Sequence, residues 1–222
     1  MSTIDSVAGA AGQAQEVRAA RALAVRTWTG FVCVPLVFVS MLSANLLVGS
    51  AGDGAPAAEL AAFRHGGGAQ ALPFVELLSA VALVGLANFF GASIRRRGAW
   101  LATIGMGLTI VGAMGSAMVS VRHFYDIALA AAPRAVALHV LDGLDAATGP
   151  LPFLMISLAP IAGLVLLAVA AYRAGRASIV ALALSVAFAV LEFTPLPESV
   201  GLLVGGGAFT WIAVRLLRER TA

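Results

Sequence analysis

Two glutamates stand inside runs of apolar residues. Glu76 lies among Phe74, Val75, Leu77 and Leu78, and Glu192 follows Phe188-Ala189-Val190-Leu191. A carboxylate in hydrocarbon is costly and by default turns toward a polar interior or toward water. Two such groups can share a proton, bind a cation, or divide acid and base roles as their surroundings draw the pKa values apart. The competing reading is interfacial: each reaches water and pairs with Arg64, Arg122 or Arg134. The residues alone leave both readings open.

A second set of groups repeats a short spacing. His123-Phe124-Tyr125-Asp126 and His139-Val140-Leu141-Asp142 each place an imidazole three residues before a carboxylate. On a helix, positions i and i+3 share a face, so each piece can present a His beside an Asp. Two such pairs, with Asp145 nearby, would make a candidate site for zinc or another divalent ion. Ordinary ion pairing with Arg122 and Arg134 accounts for the same acids without a metal. Asn88 and Asn45 are amides within apolar runs; Asn88 is a candidate ligand contact, and interhelical hydrogen bonding is the plainer use of both. No nucleophile motif is present: there is no GxSxG setting, no HExxH, and no histidine beside the single cysteine, Cys33. All three histidines avoid the centres of the apolar runs, which speaks against a haem bundle, and the sequence calls for no cofactor.

These groups need elements to position them, and composition says what kind. The chain has 222 residues, 60% hydrophobic and 11% charged. Soluble domains are nearer one quarter charged, so much of the apolar surface must face lipid. The 14 basic residues are all arginine and gather in short clusters at the ends of apolar runs. That is how topology is encoded, and it excludes nucleic acid as the partner. With one cysteine, neither an internal disulfide nor a cysteine metal cluster can form.

The expected architecture is all-α: a bundle of six transmembrane helices at about 27–49, 72–94, 99–121, 150–172, 177–195 and 199–217. A span needs ~20 residues for a hydrocarbon core of ~30 Å, and lipid permits no open backbone. Residues 1–24 are expected as a tail whose second half, from about Ala14 to Arg26, is either a surface helix or frayed, and 219–222 as a short tail, with one membrane domain over 25–218. The last span is expected to stay helical through Gly205-Gly206-Gly207, and Pro35 and Pro160 to kink theirs. Ala57–Phe63 reads as a short amphipathic helix on the outer surface, with the Gly66-Gly67-Gly68 run as the turn into the second span. Gly112/Ser116 and Gly201/Gly205 read as close helix packing.

With the N-terminus inside, eleven arginines fall on inner segments, and Arg64, Arg122 and Arg134 on outer ones. This predicts cytoplasmic termini in a cell membrane. Eight of the eleven carboxylates, all but Asp5, Glu16 and Glu219, and every histidine fall toward the outside, while the inner side reads as short arginine-rich turns with no room for a site. Leu72-Pro73-Phe74 aligns on Leu151-Pro152-Phe153, and the hairpins 72–121 and 150–195 read as a same-direction repeat about an axis along the membrane normal. The glutamates break it, because Glu76 matches Met155 and Glu192 matches Ala113.

Ala58–Arg64 leading into Leu72–Ser93, the Arg95-Arg96-Arg97-Gly98 turn, Leu166–Arg176 and the closing Trp211–Arg218 together resemble the small multi-pass integral membrane proteins of actinobacteria, a family of unknown function. The resemblance spans roughly residues 25–218 and implies a helical membrane bundle; it transfers no catalytic residue and no ligand. Three functions follow from the residues. The bundle binds or moves a small molecule, lipid or ion at an outward site containing Glu76 and Glu192. Or it performs acid–base chemistry with those two residues on a lipid or isoprenoid, aided by His123 or His139. Or it packs as a subunit against another membrane protein or a second copy of itself. The lipid bilayer is the partner common to all three.

Overall fold

A computed structural model describes residues 3–48, 56–65, 68–95, 97–148, 151 and 154–221. Asp53, Gly66-Gly67, Arg96 and Pro152-Phe153 lie outside them, as do the side chains of His65, Asp145 and Arg220. The described residues are helical with no strand. They comprise α1 (Thr3–Val48), α2 (Pro56–His65), a 3-10 turn at Ala69–Ala71, α3 (Leu72–Ser93), α4 (Ala99–Ala130), α5 (Arg134–Thr148), a π turn at Leu154–Leu158, α6 (Ala159–Arg173), α7 (Ile179–Leu191) and α8 (Glu198–Thr221). Five stretches are long and apolar enough to cross a membrane: Arg21–Leu47, Ala69–Ser93, Ala99–Ala130, Leu154–Arg173 and Glu198–Glu219. α7 is apolar but has only 13 residues. At ~1.5 Å per residue it extends about 20 Å, short of a hydrocarbon core. The expected span at 177–195 is cut back because Thr194-Pro195-Leu196-Pro197 follows, and a residue before proline is pushed out of the helical region.

Other boundaries also move. α1 takes in the N-terminal segment from Thr3 as one helix of 46 residues. α4 does not stop near residue 121 but runs to Ala130, so the first His-x-x-Asp piece lies on it. The second lies on α5. α2 forms where the amphipathic pattern predicts, and α8 is continuous through its glycine triplet. Pro160 takes the start of α6 directly after the π turn, the kind of local irregularity expected where a missing N–H removes a helix bond.

The helices meet in a common core. Phe38 of α1 stacks on Phe209 of α8 at a centroid distance of 5.8 Å, while Phe90 of α3 and Phe188 of α7 meet Phe209 edge-on. Four helices are thereby joined through one aromatic knot in the apolar centre. Elsewhere contact depends on small residues. At the α4–α6 crossing, a Cβ on Gly163 would stand 2.5 Å from Thr109 Oγ1 and 2.6 Å from its backbone nitrogen. Gly98, between α3 and α4, has φ of 93° and would put a Cβ 2.6 Å from the Ala170 carbonyl oxygen. Glycine satisfies both demands at that turn.

The bundle has two chemically distinct ends. Leu23, Arg26, Arg95, Arg97, Arg176 and Glu219 line one cavity, so α1 near Arg26, the last turn of α8 and both interhelical arginine turns meet at one end of the bundle, the arginine end. α2 and α5 cover the opposite, carboxylate end, where Leu60 packs with Ala137 and Leu141.

Candidate functional site at the carboxylate end

The last turns of α4 form the floor of the site. Ser116, Ser120, His123, Asp126 and Ala130 are all buried and recur every three or four residues, which puts them on one face. The Ser120 hydroxyl donates to the Pro73 carbonyl at 2.7 Å, fixing α4 against the first turn of α3. One turn on, the His123 ring lies 5.5 Å from the Phe63 ring of α2, tilted against it. His123 Nδ1 is 3.4 Å from Asp126 Oδ2, and Arg122 Nε is 4.0 Å from the same oxygen. Asp126 is only 1% exposed, and its other oxygen, Oδ1, has no hydrogen-bond partner among the described residues.

Glu76 enters from α3. It shares a helix face with Leu72, Ser79, Leu83 and Phe90, the face that turns to the core. It is partly buried and lies within electrostatic range of His123 and of Glu198. The inward orientation expected of a carboxylate among apolar neighbours is therefore present. Ser79, one turn deeper, has a buried hydroxyl with no partner.

Glu192 caps the end of α7, and its Oε1 is buried without a partner. That oxygen lies 2.7 Å from where a Cβ on Gly201 would stand, so the carboxyl rests on the first turn of α8. Glu198 opens α8 and acts electrostatically on Glu192 as well as on Glu76. Acids at a helix N-terminus are favoured by its dipole and free N–H groups. Glu198 thus stands in range of both Glu76 and Glu192.

Other sequence candidates fall elsewhere. His139 and Asp142 are exposed on α5, whose buried face is Ala137 and Leu141, so the two His-x-x-Asp pieces do not combine. Among the described residues no group of three or more His, Cys, Asp or Glu side chains could hold a metal ion. Asn88 Nδ2 donates to the Val84 carbonyl of its own helix at 2.8 Å, and the residue lines the cavity at the arginine end, remote from the glutamates. Arg64, one of the expected partners for a glutamate, instead donates from Nε to the Ala130 carbonyl and from Nη2 to that of Ala132. It caps the C-terminus of α4, where a cation is favoured.

Sequence reasoning passed over Glu198 and Ser120 as site residues. The signal for Glu198 was available: Pro195-Leu196-Pro197 forces the chain out of α7, and the next acid opens a helix. Nothing in the sequence marks Ser120, whose role depends on where Pro73 comes to rest. The expectation that the arginine side has no room for a site is overturned, because the cavity there has a volume of about 1370 Å³. No family profile, characterised protein or solved structure matches the chain.

Proposed function

We propose that the protein is a multi-pass membrane protein that binds a small molecule, lipid group or ion at its carboxylate end, with Glu76 and Glu192 as the principal acceptors and Glu198 between them. In this reading α7 makes a sixth crossing, and the arginine end with both termini faces the cytoplasm of a cell membrane. Arg26, near the start of the first apolar stretch, and Glu219, at the end of the last, line the same cavity, which supports an even number of crossings, and the arginine bias supports the orientation. One observation carries the binding reading. The buried side-chain atoms without a partner among the described residues are Asn45 Nδ2, Ser79 Oγ, Asp126 Oδ1 and Glu192 Oε1. All four lie in the half of the bundle toward the carboxylate end. A buried polar group left unpaired costs roughly 1–3 kcal/mol, and a cation or hydrogen-bond donor at Glu192 Oε1 or Asp126 Oδ1 offsets that cost.

The test is a panel of monovalent, divalent and organic cations added to purified protein in detergent. Cations should raise the melting temperature of wild type, and Glu76→Gln and Glu192→Gln should each lose that response while keeping the fold. An identical response in all three proteins rules the carboxylates out. The buried His123–Asp126 pair beside Glu76 favours a second reading, acid–base chemistry on a lipid or isoprenoid bound at the same place. It separates from simple binding by His123→Ala, which would abolish turnover and leave ligand binding intact.

A further inference from the structure

The cavity at the arginine end is the second place where the chain concentrates charge, and it has no part in the ligand binding proposed above. Four of its lining residues are arginines, Arg26 of α1, Arg95 and Arg97 of the α3–α4 turn, and Arg176 of the α6–α7 turn; Glu219 of α8 is the one carboxylate. Glu219 is spoken for, because it pairs with Arg176. Arg26, Arg95 and Arg97 make no ion pair among the described residues. Three guanidinium groups from two segments distant in sequence thus face one space with a net positive charge. Their repulsion is relieved by an anion, and a guanidinium presents parallel N–H groups that match phosphate oxygens two at a time.

The remaining wall says what carries that anion. Trp28, Phe89 and Leu216 line the same cavity, and it reaches Gly85, eight residues before Ser93 at the end of α3. At ~1.5 Å per residue the space runs about 12 Å from the arginine turn along the α1–α3 seam. A soluble phosphate would need only the charged rim. A cavity with arginines at its mouth and aromatic and aliphatic side chains below has the profile of a headgroup joined to acyl chain. Its volume of about 1370 Å³ exceeds the ~300–1,000 Å³ usual for small-molecule sites. Basic pockets between transmembrane helices are a known way of holding anionic headgroups.

We infer that this cavity binds an anionic phospholipid, its phosphate held by Arg26, Arg95 and Arg97 and its first acyl segment lying along α3 between Phe89 and Gly85. The full-length protein in an uncharged detergent is titrated with short-chain phosphatidylglycerol, phosphatidylcholine, or inorganic phosphate alone. Melting temperature and lipid phosphorus retained after gel filtration are the readouts. Phosphatidylglycerol should stabilise and be retained, while phosphatidylcholine and inorganic phosphate do neither. Arg95→Gln with Arg97→Gln should weaken that binding by roughly tenfold or more, at about 1 kcal/mol per arginine. Arg18→Gln with Arg134→Gln, an equal change of charge away from the cavity, should leave it unaltered. Should the cavity double variant fail to fold, Arg26→Gln probes the opposite wall in the same way. Equal response to phosphatidylcholine, full response to inorganic phosphate, or unchanged affinity in the cavity variants would each overturn the proposal. These arms leave Glu76 and Glu192 untouched, so the result is separate from the carboxylate-end reading.

Discussion

Glu76 and Asp126 are both acids in helices, yet their surroundings assign them different costs. Glu76 faces inward with a histidine and a second glutamate in range. If it faced lipid as a charge it would cost roughly 2.5–3.5 kcal/mol. Glu76→Gln should therefore fold normally, with any ligand response gone, and thermal stability in detergent together with cation titration checks both. A Glu76→Leu protein as stable and as responsive as wild type would show that this side chain carries no function. Asp126 is structural as well as polar: one of its oxygens faces both His123 and Arg122. Asp126→Leu should lower stability by about 1–3 kcal/mol, since it leaves a buried imidazole without its carboxylate, whereas Asp126→Asn should cost less. His123→Ala with His139→Ala should leave the metal content of purified protein unchanged, because His139 is exposed on a different helix and the two do not meet. Stoichiometric zinc in wild type that disappears in the double variant would contradict that placement. The inward turn of Glu76 was legible from its apolar neighbours. The burial of His123 was not, because it depends on Phe63, 60 residues earlier in the chain, folding back over it.

At the scale of elements, the bundle depends on where helices approach closely. Gly163 and Gly107 make a matched pair. A methyl on Gly163 meets the Thr109 backbone at 2.6 Å, while one on Gly107 meets nothing within 4 Å. Gly163→Ala should lower the melting temperature through overpacking worth roughly 1–3 kcal/mol. Gly107→Ala should be neutral or stabilising by up to about 1 kcal/mol, since alanine loses less chain entropy in a helix. Equal effects at the two sites would mean that α4 and α6 do not cross there. The apolar runs made most elements readable, but their ends were not. α4 outlasts its expected end near Val121 because Ser120, His123, Asp126 and Ala130 keep the helical spacing, with polar residues serving as buried ones. Hydropathy ends a span at the first charge; periodicity carries it further. The glycine contacts were read at Gly112/Ser116 and Gly201/Gly205, and the Gly105–Gly163 approach, where a Cβ on Gly105 would stand 2.8 Å from the Gly163 carbonyl oxygen, was missed because its partners lie on separate helices.

For the whole molecule, the first consequence is directional. A reporter fused after Arg220 should read cytoplasmic and one inserted near Ala146 external; an external reading at the C-terminus would mean an odd number of crossings. The second consequence comes from the brevity of α7. In the proposed six-pass arrangement, a crossing element of about 20 Å beside neighbours of 20 to 32 residues makes the protein thin on one flank. Surrounding lipid must either compress there or let water down to the Phe193–Pro197 stretch, and each ångström of mismatch costs a fraction of a kcal/mol. The perimeter is then a wedge in which acyl chains on the α7 side are shorter or more disordered than those beside α4. In vesicles of graded chain length, thermal stability should peak in a bilayer thinner than the ~30 Å norm. Spin-labelled lipids should report a locally depressed surface next to Glu192, which would make this carboxylate reachable from water without any opening of the bundle.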